Sequence, residues 1–530
     1  MWQKGWREEI WNSLDQPWDV IVVGGGITGA GVLRQAVNAG LKALLVEAGD
    51  FASGTSSRSS KMVHGGFRYL KNKQFKVTRE SVREREWLLH EAPNLVTPLC
   101  FLLPDYVSFK VPMSEYGLGV VIYDLLAPKW KHRERSIDQL LAACPGMRRD
   151  GLMGGYEYYD AAMDDARLVI RVLREAVQAG GTALNYARAE QLLRTQDGQV
   201  CGIALHDVSV PNGKTFEVKA KVVINASGPW SDELRAQLGG PAHIRKLRGS
   251  HIIFSCERFP APHAVTLVHP RDRRALFVIP WEGTTMVGTT DLDHPAEWEH
   301  EYSEPFATQD EIDYLLEAAN FLFPLLDLKQ TDIVSSFAGL RPTIKADEGD
   351  APSQVSRQHA LYQENGLITI TGGKYTTFRI MSRQAVETAL AQLGQGKLSQ
   401  KRIFNRLPNL PARANEIEVG SLNYLYGRHG AETADLLAAA QAGDMEPIGH
   451  LSNVWAELRW AARQEGALHL SDLLLRRVRL GMLLPGGAQA LMPHIRTIVQ
   501  PEMSWDDARW EKEEASYRET WKKYYGPQPG

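Results

Sequence analysis

With 530 residues, the chain is too long for one ordinary domain and suits two or three. Apolar residues at 44% and charged residues at 23% are ordinary for a soluble globular protein. Lys and Arg number 60 against 63 Asp and Glu, a net charge of −3 that favours no polyanionic partner, nucleic acid included. The N-terminal stretch MWQKGWREEIWNSLDQPWD has no apolar run and does not read as a signal peptide. Trp2, Trp6, Ile10 and Leu14 recur every four residues, which predicts one helical face. That face either docks on its own domain or lies in a membrane interface. No run of about 18 apolar residues occurs anywhere, so no spanning helix is expected.

From Trp18 the pattern becomes regular. DVIVV reads as a buried strand, GGGITGAG as a turn opening a helix that ends at Gly40, and LKALLVEAG as the next strand. This βαβ unit implies a covered α/β sheet. KAKVVINASGPWSDEL (219–234) and GLITITGGKYTTFRIMSRQAVETAL (366–390) repeat the strand–turn–helix pattern, so one α/β domain is interrupted by insertions. Between 240 and 365, SHIIFS, HAVTLVHP, RALFVIPWEG and TTMVGTTD read as short antiparallel strands of a second, substrate-side domain. From about 400 the texture is amphipathic helix, with NRLPNLPAR (405–413) as linker.

Gly24, Gly26 and Gly29 form GxGxxG between a strand and a helix, the context in which that pattern binds a dinucleotide. The first glycine makes the turn, the second admits the pyrophosphate, and the third lets helix pack on strand. Glu47 ends the second strand, where a carboxylate accepts hydrogen bonds from ribose hydroxyls and disfavours a 2′-phosphate. NAD is the default rival at this point. The following GDFASGTSSRSSKMVHGG, rich in small residues and hydroxyls, suits a loop running along an extended flavin dinucleotide. Cys100, Cys144, Cys201 and Cys256 lie far apart, with no CxxC pair and no Cys/His spacing for zinc. A reducing compartment, no thiol chemistry and no metal are expected.

The set VVGGGITGAG, TSSRSSKMVHGGFRYL, NASGPWSD, RGSHIIF, IPWEGTTMVGTTD, AGLRPT and TGGKYTTFR resembles the FAD-dependent glycerol-3-phosphate dehydrogenases, within the wider D-amino-acid-oxidase-like flavoproteins. The resemblance implies an α/β FAD-binding domain of Rossmann-like, glutathione-reductase type. It carries an inserted antiparallel β-sheet substrate domain and is followed by a C-terminal α-helical domain. The FAD-dependent region is expected over 18–400. Its cofactor segments would lie at about 18–90, 155–235 and 335–395, its cap segments at about 91–154 and 240–334, and the helical domain at 405–530.

The implied reaction oxidises glycerol 3-phosphate to dihydroxyacetone phosphate with FAD and passes electrons to a quinone. Oxygen as acceptor, or an amine or 2-hydroxy acid as substrate, are the rival enzymes; a flavin-containing binding protein without turnover is the rival of another class. Arg68, Tyr69, Arg341 and Lys374 match family positions near the substrate, and cations suit its phosphate. His64 and His251 match family histidines near the flavin and are the candidate bases, with Arg341 and Lys374 beside them. His132, His269 and His294 have no such context. Thr55, Ser56, Ser57, Lys61, His64, Gly65 and Gly66 are expected along FAD, as are Ala226 and Gly228. Gly372, Gly373, Lys374, Thr376 and Thr377 open the last helix toward its pyrimidine edge.

The resemblance also implies a cytoplasmic enzyme held peripherally on the cytoplasmic face of the membrane. LLAPKWKHRER (125–135) and the tryptophan-lined N-terminus are the two local candidates for attachment. The helical tail is compatible with docking, a homodimer or partner binding.

Overall fold

A computed structural model describes residues 2–66, 75–107, 132–298, 304–345, 358–398, 402–406 and 417–527. Arg68 and Tyr69, and residues 125–131 of the basic stretch, lie outside the described residues.

The apolar run Trp18–Val23 forms the centre of the first sheet. It pairs in parallel with Ala43–Val46 on one side and Thr215–Asn225 on the other. Leu367–Gly372 and Thr182–Leu184 extend the parallel sheet outward. The helices Ile27–Asn38, Asp165–Gln178 and Phe378–Gln392 pack with one another against it. Burial of every residue from Val20 to Val23 reflects a strand covered on both faces. All four strands that lead to the site end on the same edge, so the turns after them converge.

Among the described residues the second sheet has ten strands, and its long members are Val96–Tyr106, Leu152–Met163, Ile244–Ser255 and Ile333–Ile344. Its pairings are antiparallel apart from one short parallel contact between Ala264–Val268 and Val96–Tyr106. Two expected boundaries shift. Leu152–Met163 and Ile333–Ile344 overlap the cofactor segments beginning at about 155 and 335. Their registers instead run along Val96–Tyr106 and Ile244–Ser255, in the second sheet.

The N-terminal helix is short, Trp6–Trp11. Trp2, Trp6 and Leu14 are buried, the Trp2 indole donates to the Ala183 carbonyl at 3.1 Å, and its ring stacks on Phe51 at 4.9 Å. These tryptophans pack on their own domain, so the interfacial-anchor alternative for that face is withdrawn.

The C-terminal helices are docked on both sheets. Trp510, Tyr517 and Trp521 share a core with Ile253, Trp281 and Phe337 of the second sheet. Toward the first sheet the contact is ionic. Arg167 grips Glu465 through two hydrogen bonds of 2.7 and 2.6 Å, Arg477 pairs with Asp50 at 2.8 Å, and Arg428 bridges Asp164 at 2.9 Å and Glu457 at 2.8 Å. All these side chains are buried.

Candidate active site

One cavity of about 1580 Å³ runs from the first sheet to the second. It exceeds the roughly 300–1,000 Å³ of an ordinary ligand pocket and has room for an extended cofactor together with a substrate. At one end it is lined by the turns after the parallel strands: Gly24, Gly26, Ile27 and Thr28; then Glu47 to Gly49; then Ala226 to Trp230; then Gly372 to Thr376.

The glycines explain the first turn. Gly24 has φ 113°, and a Cβ there would meet the Ala226 carbonyl oxygen at 2.5 Å. A Cβ on Gly29 would lie 1.8 Å from the Gly24 carbonyl oxygen, so only glycine lets this helix close on the strand. Gly26 caps the helix without a side-chain bond, leaving its N-terminus open to the cavity. The Ile27 amide donates to Ser56 Oγ at 3.0 Å, tying the hydroxyl-rich loop to the same turn.

Glu47 is pinned by backbone donors, Gly25 N to Oε2 at 2.6 Å and Gly49 N to Oε1 at 2.8 Å. Burial raises its pKa, and those amides work in the opposite direction. A helix N-terminus that opens to the cavity and a fixed carboxylate at the second strand end fit the pyrophosphate and ribose of a dinucleotide.

Toward the second sheet the cavity wall contains Ser60, His64, His251, Thr289, Asp291, Arg341 and Lys374. His251 is buried with its ring stacked on Phe337, centroids 4.7 Å apart. Its Nε2 lies 2.9 Å from Ser60 Oγ, and its Nδ1 has no hydrogen-bond partner. Burial first, then the Arg341 and Lys61 cations, hold the imidazole well below its ordinary pKa, so it is neutral.

Arg341 donates to Asp291 Oδ1 at 3.1 Å and Thr289 Oγ1 at 2.9 Å. Gly249 makes this placement feasible, since a Cβ there would fall 2.1 Å from an Arg341 nitrogen. Lys374 Nζ donates to the His64 carbonyl at 2.9 Å and Ser81 Oγ at 3.2 Å, joining the last helix turn to the His64 segment.

Of the predicted residues, Gly24, Gly26, Glu47, Thr55, Ser56, His64, Gly66, Ala226, Gly228, His251, Arg341, Gly372, Gly373, Lys374 and Thr376 line the cavity. Gly29, Ser57, Lys61, Gly65 and Thr377 stand behind its wall. Lys61 requires a correction. Its fully buried ammonium donates to Ser57 O at 2.6 Å and to both Asp165 oxygens at 2.9 Å, so it braces the loop from behind. Burial lowers its pKa to about 7. Thr289 and Asp291 were visible in GTTD but had no assigned role; only the sheet register brings them to Arg341.

A family model described as FAD dependent oxidoreductase matches residues 19–379, and one described as the C-terminal domain of alpha-glycerophosphate oxidase matches 368–510. The aerobic glycerol-3-phosphate dehydrogenase of Staphylococcus epidermidis is 35% identical over 499 residues, 89% of this chain and 88% of that one. The chain belongs to the FAD-dependent glycerol-3-phosphate dehydrogenases. Glycerol-3-phosphate dehydrogenase 2 of Mycobacterium tuberculosis is 36% identical over 540 residues, covering 96% of this chain and 89% of that one. Among solved structures, the glycerol-3-phosphate dehydrogenase from Bacillus halodurans complexed with FAD superposes with a TM-score of 0.78 at 28% identity, covering 98% of each chain. FAD is therefore the dinucleotide that this family's cavity serves.

Proposed function

We propose that the enzyme oxidises sn-glycerol 3-phosphate to dihydroxyacetone phosphate and delivers the electrons to a quinone. The observation that carries the reading is the convergence of Arg341, Lys374, His64 and His251 at one end of a dinucleotide cavity. The Gly24–Thr28 turn, Glu47 and the Gly372–Thr376 turn would hold FAD, which when bound would supply the acceptor for the hydride from C2.

The chain's own residues do the rest. Arg341 offers a planar fork to the phosphate, and Lys374 adds positive charge. Neutral His251, in the cavity wall, is suited to receive the proton of the C2 hydroxyl. Ser60, bonded to Nε2, holds the ring in place. Arg68 and Tyr69 are proposed to complete the phosphate contacts. The Gly372–Thr376 turn opens the last helix at the cavity, and the positive end of that helix would favour the negative charge that accumulates on a bound flavin during reduction.

The same reading takes the enzyme to the membrane surface, because a quinone is lipid-soluble. No helix among the described residues is long and apolar enough to cross a membrane, so attachment would be peripheral.

The test is anaerobic titration of the purified yellow protein. Glycerol 3-phosphate should bleach the flavin absorbance, and a soluble quinone analogue should restore it. Bleaching by glycerate or an amino acid instead would reject the substrate. Rapid recovery in air without quinone, with stoichiometric peroxide, would assign the acceptor as oxygen.

A further inference from the structure

The turn 269–274 joins strands Ala264–Val268 and Ala275–Trp281 at the cavity wall. Its shape is fixed by side chains. His269, for which the sequence offered no context, is fully buried and stacks on Tyr314 with centroids 3.7 Å apart. Its Nε2 lies 3.1 Å from the Tyr314 carbonyl, which can only accept; Nδ1 is therefore left to accept from the Arg271 amide at 3.1 Å. The His269 amide donates to the Arg274 carbonyl at 2.8 Å, with Arg273 at φ 61° between them. The turn is thereby fastened to the helix Gln309–Leu322 that carries Tyr314.

This arrangement delivers Arg274 to the cavity beside Asp291. The buried Asp291 carboxylate has an arginine at each oxygen: Arg341 at 3.1 Å from Oδ1 and Arg274 at 3.4 Å from Oδ2. Arg274 also donates to the Asp291 carbonyl at 3.3 Å. Its side chain stays partly exposed at the cavity wall. Two guanidiniums around one carboxylate leave a net positive charge. A phosphate dianion brings three acceptor oxygens to such a place.

We propose that Arg274 is a second guanidinium of the substrate's phosphate subsite, with Asp291 fixing its separation from Arg341. The inference rests on the glycerol 3-phosphate reading above and extends it to a residue outside the recognised motifs.

The test uses FAD-loaded wild type, R274Q, R274K, R341A and the R341A/R274Q double variant. Inorganic phosphate binding is measured by calorimetry, and KM and kcat for glycerol 3-phosphate are measured separately. R274Q should weaken phosphate binding and raise KM by about 10- to 100-fold, with kcat changed less than about threefold. R274K, which keeps charge but loses the fork, should fall between R274Q and wild type. Adding R274Q to R341A should weaken phosphate binding further, as two direct contacts require.

Unchanged phosphate affinity in R274Q overturns the proposal, as does no further loss in the double variant, which would mean that Arg274 only props Arg341. If R274Q does not retain FAD, R274K is decisive, and wild-type affinity there overturns it. A wild-type enzyme that glycerol 3-phosphate fails to bleach would reject the substrate reading itself. The phosphate titration then still decides on Arg274.

Discussion

His251 shows how burial tunes a side chain that the sequence only nominates. An imidazole in water titrates at about 6.5, whereas this one is sealed between Phe337 and Ser60 with two cations nearby. Its folded pKa is depressed, so the unfolded chain binds the extra proton first as pH falls below about 6.5. The neutral base therefore persists in the folded enzyme, and stability declines through that window. We expect the acid limb of kcat/KM to lie below the ordinary imidazole value of about 6.5, measured at subsaturating substrate with FAD saturating. His251→Asn should reduce kcat about 10²- to 10⁴-fold with full FAD content; a loss under threefold would assign the base to His64. Arg341→Ala should raise KM about 10- to 100-fold while FAD absorbance stays near wild type. FAD loss instead would place Arg341 in cofactor binding. His64 and His251 stood equal in the sequence, because burial and stacking depend on strands far away in the chain.

Among the elements, the strand–turn–helix unit 18–46 was the most legible. Its glycine spacing, apolar strands and terminal Glu47 are local, and local patterns survive tertiary packing. Gly29→Ala tests the tightest point. The added methyl collides with the Gly24 carbonyl, so strand and helix must separate, at a cost of about 1–3 kcal/mol. The expected readout is lower thermal stability and released FAD; a variant with wild-type FAD content and melting temperature would contradict the close-packing account. The strands of the second sheet were recognisable one by one, but their partners were not. Ile333–Ile344 reads as part of the cofactor domain by position, yet its register with Ile244–Ser255 brings Gly249 opposite Gly339 and Leu247 opposite Arg341. That register places Arg341 in the cavity, and no local signal encodes it. Lys61 failed for a similar reason. Its loop follows the cavity, but the side chain turns inward to Asp165, which the sequence separates from it by 104 positions.

The whole molecule is joined by buried charge. Glu457 lies between Arg428 and His429. Burial opposes its charge, but Arg428 and His429 prevail and lower its pKa to about 2. The folded pKa is below the unfolded value, so this stabilisation is complete above about pH 4.5 and is lost as pH falls toward 2. Glu457→Gln would leave Arg428 partly unpaired and should cost about 3–5 kcal/mol at pH 7, read by urea unfolding, with a shallower acid transition than wild type. A change below 1 kcal/mol would show that the C-terminal helices are held mainly by their apolar core around Trp510 and Trp521. The sequence by itself determined the dinucleotide turn and the division into an α/β part, a β part and a helical tail. It could do so because these features depend on neighbours within a few positions. Only the tertiary structure decided that Trp2 and Trp6 face the protein, that Lys61 is a brace, that the tail is bolted to both sheets, and that Arg274 and Arg341 share Asp291. Each of these depends on side chains brought together across the chain, where burial and pairing set a residue's role more strongly than its type.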